Sequence, residues 1–385
     1  MINKKIMSVA RRPGGLLLCC LPVLFSCGAG GGGAHLYNTP DAETVTIGAV
    51  YPASLWDKDY YMRDALELAV KQVNESGGVL GKPLDMVIRD DQGDSRIAQQ
   101  IAETFSGAGI TAVVGHWSSD VCYYVEDIYE ERKIVMITPS AVSGLLFEYD
   151  YQYIYRMITN NRLYAEALAD YAERQGIGVF AVYYSEDAYG LDLAQAAERE
   201  LSRRRIPVAD RITSISPANV DVILDRWRAF NCGGLLLASS FPDIFEPVKL
   251  IRNSGTDIPV FSEAFNYTDF ETVMAGYLKN YYVIMYDFED MDPAFLAAFR
   301  GQYGRDPDTY EVAGYEAVRL LADAMNAGGS TKSAAIVRYL RNLKDYPTVM
   351  GRASYNPVTR EFDGRRMRVR PYTYAAEDRD GPWRE

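Results

Sequence analysis

The densest group of reactive side chains lies at His116, Ser118, Ser119 and Asp120. An imidazole near two hydroxyls and a carboxylate invites a hydrolytic reading, with histidine as base, serine as nucleophile and the acid as orienting group. Those groups must converge in space. His116 lies three residues before Ser119 and could meet it only through local turn geometry. The other histidine, His35, sits in a Gly-rich approach to the first strand, and no GxSxG elbow is present. The expectation is therefore a chain that is not an enzyme and that carries no cofactor or metal. The same residues suit binding better. Ser118 and Ser119 follow an apolar strand and precede a helix, so Ser119 is expected to cap that helix. A capping oxygen beside free N–H groups favours an anion or another oxygen acceptor.

Other motifs are weaker. Gly28 to Gly33 satisfies GxGxxG, but no strand precedes it and no helix follows, so a flexible tether fits it better than a dinucleotide site. Gly77 to Lys82 lacks the spacing and terminal Ser/Thr of a phosphate loop. The acid run Asp287–Asp292 reads as a solvated loop between lobes. Trp56 and Trp117 are candidates for the apolar wall of a pocket, with simple packing as the alternative.

The first residues suggest export. Lys4, Lys5, Arg11 and Arg12 form a basic segment without acids, and an apolar run from Leu16 to Phe25 follows. About ten residues suit a signal segment and fall short of the roughly 20 needed to span a bilayer. Leu24-Phe25-Ser26-Cys27 resembles the lipobox of bacterial lipoproteins, which implies cleavage before Cys27 and acylation of its thiol. The alternative is an ordinary secretory signal with an incidental cysteine. The expected organisation is a signal peptide over 1–26 and a tether over 27–43. The domain then lies in the periplasm or outside the cytoplasmic membrane, anchored to a membrane by lipid at Cys27.

Composition narrows the partners. The chain has a net charge of −12, and removal of 1–26 takes away four basic side chains and no acid, leaving −16 over 359 residues. Such a chain repels nucleic acid. Cys122 and Cys232 show no metal spacing and read as buried thiols or, alternatively, a bridge. A monomer is expected.

The positioning elements alternate. Strands are expected at Val45–Tyr51, Leu84–Arg89, Thr111–Val114, Ile134–Ile137, Gly178–Tyr183, Leu235–Leu237, Ile258–Phe261 and Tyr281–Tyr286, with helical spacing between them. Later helices are expected at Ala294–Tyr303, Tyr310–Ala327 and Ala334–Leu343. A terminal hairpin of Arg352–Asn356 with Met367–Tyr374 is expected around Asp363-Gly364. The pattern predicts an α/β protein with two doubly wound parallel-sheet lobes. The expected lobes are 44–159 with 287–347, and 160–286 with 348–385. Ligands in such sheets sit beyond the carboxyl ends of the strands.

Several stretches, in order, resemble the leucine/isoleucine/valine-binding family of solute receptors for ABC transporters. They are "IGAVYPAS" at Ile47–Ser54, Leu66–Asp94, "GHWSSDVCYYVEDIYEERKIVMITPSA" at Gly115–Ala141, "AYG" at Ala188–Gly190 and "VMGRASYN" at Val349–Asn356. The resemblance implies a type I periplasmic-binding fold with a three-segment hinge, and a small polar solute passed to an ABC permease. Sensing for a membrane receptor is the alternative. It also implies that Ser119 holds a ligand carboxylate, assisted by Ser118 and the backbone of Ser140 and Ala141. Tyr189 would be a cleft-wall aromatic and Glu263 the ammonium-binding acid. Val142 stands where the family often has a threonine, and Phe241 where it often has a tyrosine.

Overall fold

The computed structural model describes residues 36–56, 62–263, 270–287 and 291–372. The signal segment, Cys27 and the tether up to His35 lie outside the described residues, as do 288–290 of the acid run.

The chain opens with β1 (Val45–Tyr51), α1 (Ala53–Trp56), α2 (Met62–Glu75), β2 (Leu84–Asp90) and α3 (Ser95–Gly107). It continues with β3 (Ala112–Gly115), α4 (Ser119–Arg132), β4 (Val135–Thr138) and β5 (Ile154–Arg156). These strands form a parallel sheet in the order β2-β1-β3-β4-β5. All seven residues of β1 are buried, as expected of an inner strand covered by helices on both faces. Asp94 starts α3 by accepting from the N–H groups of Arg96 and Ile97.

The second set runs α5 (Asn161–Gln175), β6 (Phe180–Tyr184), α6 (Ala188–Arg203), β7 (Val208–Ile212) and α7 (Val220–Ala229). It is followed by β8 (Gly234–Ala238), α8 (Phe245–Asn253), β9 (Val260–Glu263), α9 (Phe270–Met274) and β10 (Tyr281–Tyr286). Then come α10 (Pro293–Tyr303), α11 (Thr309–Gly328), α12 (Ser333–Arg341), β11 (Tyr346–Thr348), β12 (Gly351–Tyr355), β13 (Phe362–Asp363) and β14 (Met367–Pro371). The second sheet has the order β14-β10-β9-β8-β6-β7. The helix α11 returns to the first sheet, packing on α2, α12 and β3. A capping box of Asp308 and Glu311 sets its start.

The terminal hairpin does not form. β12 pairs with β11 and β13, while β14 pairs antiparallel with β10. The second sheet is therefore parallel except at that edge. The turn signal at Asp363-Gly364 marks a change of partner, because Gly364 takes φ +128 and a Cβ there would meet the Arg352 carbonyl at 2.0 Å. Two short strands, β5 and β7, carry no period strong enough to read from sequence. β5 pairs with β4, and β7 flanks β6 at the sheet edge. Cys122 and Cys232 are both free thiols, Cys122 fully buried.

The small sheet of β11–β13 lies against β5. Tyr155 packs on Tyr355 and Phe362, and Arg156 pairs with Glu361 at 2.8 Å. We therefore propose lobe crossovers near 159, 287 and 364–366, the last later in the chain than the expected one at Thr348.

Candidate ligand-binding cleft

Both sheets direct the carboxyl ends of their strands toward one cavity of about 120 Å³. From the first lobe it is lined by Trp117, Ser118, Ser119, Asp120, Ser140 and Val142, with Tyr310 added by α11. The second lobe contributes Asp187, Tyr189, Ser240 and Glu263.

The first wall depends on glycine. Gly115 ends β3 at φ +146, and a Cβ would strike the Val50 carbonyl at 2.3 Å. Only glycine brings the loop this close to β1. The next residue, His116, is fully buried. Its Nδ1 pairs with Asp91 Oδ2 at 2.7 Å, and its Nε2 lies 3.0 Å from the Tyr129 hydroxyl. Both ring nitrogens are thus occupied, which leaves neither to act as base toward Ser118 or Ser119. The imidazole is a strut. Its own carbonyl accepts from Thr138 Oγ1 at 2.8 Å, and the Trp117 carbonyl accepts from Ser140 Oγ at 2.9 Å.

The helix cap is one residue earlier than expected. Ser118 is the N-cap of α4, without a side-chain capping bond, and Ser119 is the first helical residue. Ser119 is buried, and its Oγ accepts from the Ser143 N–H at 3.3 Å. Its hydroxyl hydrogen is not used by that bond, so Ser119 keeps a donor for a ligand. Ala141 does not line the cavity. Its N–H donates to Thr138 Oγ1 at 3.0 Å, and its carbonyl accepts from Arg156 at 3.1 Å. The expectation that its backbone faces a ligand is not met.

The second wall also rests on a glycine. A Cβ on Gly190 would meet the carbonyls of Ser185 at 2.4 Å and Ala238 at 2.6 Å. The first turn of α6 therefore sits directly on the ends of β6 and β8, and this presents Tyr189 to the cavity. Asp187 caps α6 by accepting from Gly190 N–H at 2.7 Å.

Glu263 ends β9 and is only 3 % exposed. Its Oε2 accepts from the Tyr310 hydroxyl at 2.5 Å. Its Oε1 makes no hydrogen bond of good geometry among the described residues; the Tyr189 hydroxyl stands near the carboxylate without forming one. Burial pushes the Glu263 carboxyl up to about 7, against the opposing pull of the Tyr310 and Tyr189 hydroxyls. A buried acceptor without a donor is costly, so Oε1 has room in its hydrogen bonding for a group that brings one.

Further contacts join the walls. The Ala188 N–H donates to Asp120 at 3.2 Å. Asp192 Oδ2 on α6 accepts from Gly144 N–H at 2.9 Å and Asn161 Nδ2 at 2.8 Å.

Of the sequence-derived set, Trp117, Ser118, Ser119, Ser140, Val142, Tyr189 and Glu263 converge. Phe241 instead packs against Phe245 and Phe270 at 5.3 and 5.2 Å, where neighbouring Ser240 takes the lining place. Trp56 ends α1, and its side chain lies outside the described residues. Asp187, Ser240 and Tyr310 were not anticipated, and Asp120 was singled out only as an orienting acid. Asp187 carries a readable signal, a capping acid three residues before a glycine. Tyr310 carries none, because its helix belongs to a distant part of the chain.

Known proteins share this architecture. A substrate-binding protein of an ABC transporter from Desulfitobacterium hafniense, solved in complex with Leu, is 29% identical with a TM-score of 0.77, over 85% of this chain and 97% of that one. The leucine-specific-binding protein of Salmonella typhimurium is 26% identical over 310 residues, 78% of this chain and 83% of its own. A solute-binding protein of Rhodopseudomonas palustris, solved with 3,4-dihydroxy benzoic acid, has a TM-score of 0.73 at 18% identity over 86% and 93%, and shares the fold alone. The sequence model described as "Periplasmic binding protein" matches residues 44–370. Its members bind solutes and are not enzymes, in keeping with a histidine used as a strut. The chain belongs to the periplasmic binding protein family.

Proposed function

We propose that this chain captures a small amino compound, an amino acid or a related amide, between its two lobes and delivers it to an ABC importer. The observation that carries this reading is Oε1 of buried Glu263, which lines the cleft with Ser119 and has no hydrogen bond among the described residues. The first wall offers donors: the Ser119 hydroxyl and the N-terminus of α4. The second offers an acceptor. A ligand with an oxygen at one end and a charged nitrogen at the other bridges them and holds the lobes together.

Closure then follows from rigid-body motion about the crossover segments. The bonds from Ala188 to Asp120 and from Gly144 to Asp192 form only when the lobes meet. The relatives of this chain include binders of leucine, which places branched aliphatic amino compounds first among candidates. The domain works outside the cytoplasmic membrane, anchored by lipid on Cys27, as a monomer beside its permease.

The test is a thermal-shift screen of amino acids, amino amides, simple amines and short carboxylates. Ligand at a hundred times its Kd stabilises the folded form by about 2.7 kcal/mol, a readable shift. A flat response across the panel from folded protein refutes the reading. Small-angle scattering with a hit should show contraction.

A further inference from the structure

The cavity carries an unusual charge. Asp120, Asp187 and Glu263 line it, and no lysine, arginine or histidine does among the described residues. Among the described residues neither aspartate is neutralised by its contacts, since each receives a backbone N–H and no cation. The two come from opposite lobes, and Asp187 is close enough to make the Asp120 proton harder to remove, adding to the effect of burial. The N-terminus of α4 supplies about half a positive charge, too little to balance the full charge of Asp120 in the same turn.

Independent of the two aspartates, Glu263 and Tyr189 point to a donor ligand. Both are more than nine-tenths buried, and Glu263 Oε1 and the Tyr189 hydroxyl lack partners among the described residues. Trp117 and Tyr310 add a packed aromatic pair with centroids 4.8 Å apart. Aromatic faces attract cations.

We infer that the cleft selects a cationic amine whose acid end is absent or masked as an amide, over a zwitterionic amino acid of the same shape. This rests on the reading of the cleft as a solute site and adds the charge class. A zwitterion would set its carboxylate at the start of α4, beside Asp120. A neutral amide carbonyl accepts from Ser119 without that repulsion. The ammonium end meets Glu263 in either case. Val142 gives the aliphatic part an apolar contact.

The test is calorimetric titration of the intact domain at pH 7.5 with L-leucine, L-leucinamide and 3-methylbutylamine. These share an aliphatic end and an amine and differ at the acid end. At least one of the two carboxylate-free probes should bind at least tenfold more tightly than leucine. Asp120→Asn keeps an acceptor for Ala188 and removes the charge, so it should shrink that ratio to about threefold or less by improving leucine. Asp187→Asn should act in the same direction and serves if the first variant folds poorly. The wild-type comparison needs neither variant. Leucine binding as tightly as both other probes, or more tightly, overturns the charge selection and leaves the solute site standing. A ratio unchanged in both variants overturns the role of the acids. Silence from all three probes and from the wider amine and amino acid panel overturns the solute-site reading as well.

Discussion

The Tyr310 hydroxyl donates to Glu263 Oε2 at 2.5 Å, joining a helix of the first lobe to a strand of the second across the cleft. The bond half-satisfies a buried carboxylate, whose other oxygen has no hydrogen bond among the described residues and is the proposed ligand acceptor. On the proposed function this contact should couple ligand chemistry to closure, because its partners belong to different lobes. Tyr310→Phe should lower the melting temperature at pH 8, corresponding to a loss of about 1–3 kcal/mol, and should weaken ligand binding. A variant with unchanged melting and binding would show that this bond does not couple the lobes.

Glu263 makes stability depend on pH. Its carboxyl ordinarily titrates at 4.5 and is pushed by burial to about 7 in the folded chain. The folded state therefore keeps a proton that the unfolded chain has released. Stability from this source is complete below pH 4.5, declines as pH rises, and is gone above about pH 7. The loss is at most about 3 kcal/mol. Ligand-free Glu263→Gln should lack that decline and melt higher than wild type at pH 8. Glu311, raised by burial to about 8, is common to both proteins and cancels in the comparison. Parallel melting curves from pH 5 to 8 would refute the assignment.

The same titration governs binding. An ammonium pairs with the carboxylate form, so affinity for a permanently charged amine should rise as pH increases through about 7 and then level. Titrations of one amine at pH 6, 7 and 8 measure this. In Glu263→Gln the affinity should be lower at pH 8 and lose its dependence on pH.

Ser119→Ala reports the other end of the ligand. Loss of a hydroxyl partner costs about 0.5–1.5 kcal/mol toward a neutral carbonyl and about 1.5–3 toward a carboxylate. The first range is expected for an amide and the second for a zwitterion. Affinity unchanged for every ligand would remove Ser119 from the site.

Asp192→Ala deletes the acceptor for Gly144 N–H, a contact that holds α6 to the first lobe, and with it the bond from Asn161 Nδ2 within the second lobe. Ligand affinity should fall by about three- to tenfold, as expected for one or two hydrogen bonds. Scattering of the ligand-bound variant should show a more open particle. An identical radius and affinity would mean that these bonds do not contribute to closure.

Cys27→Ser tests the anchor. The variant should remain uncut before residue 27 or release processed protein to the soluble fraction. The intact mass of membrane-extracted wild type should exceed that of the chain from Cys27 by its acyl groups. An unmodified mass would refute lipidation.

Much of this was legible in the residues themselves. The buried run of β1, the helical spacing of α2 and the alternation of the two sets follow from local period, because each element shows which of its faces is apolar. The motifs at Gly115–Ser119 and Ala188–Gly190 were legible as strand-to-helix turns, and Glu263 as a strand-ending acid. Period does not name a partner far along the chain. That Tyr310 meets Glu263, that Asp120 receives Ala188, and that β14 leaves its neighbour to pair with β10 depend on how two sheets pack against each other. Phe241 shows the same limit at one residue's resolution. The loop after β8 turns it into an aromatic cluster and gives Ser240 to the cleft, because burying the ring outweighs exposing a hydroxyl. The sequence alone determined the elements and the chemistry available at their ends. Only the tertiary structure decided which ends face one another, since that choice belongs to contacts between residues that local sequence never brings together.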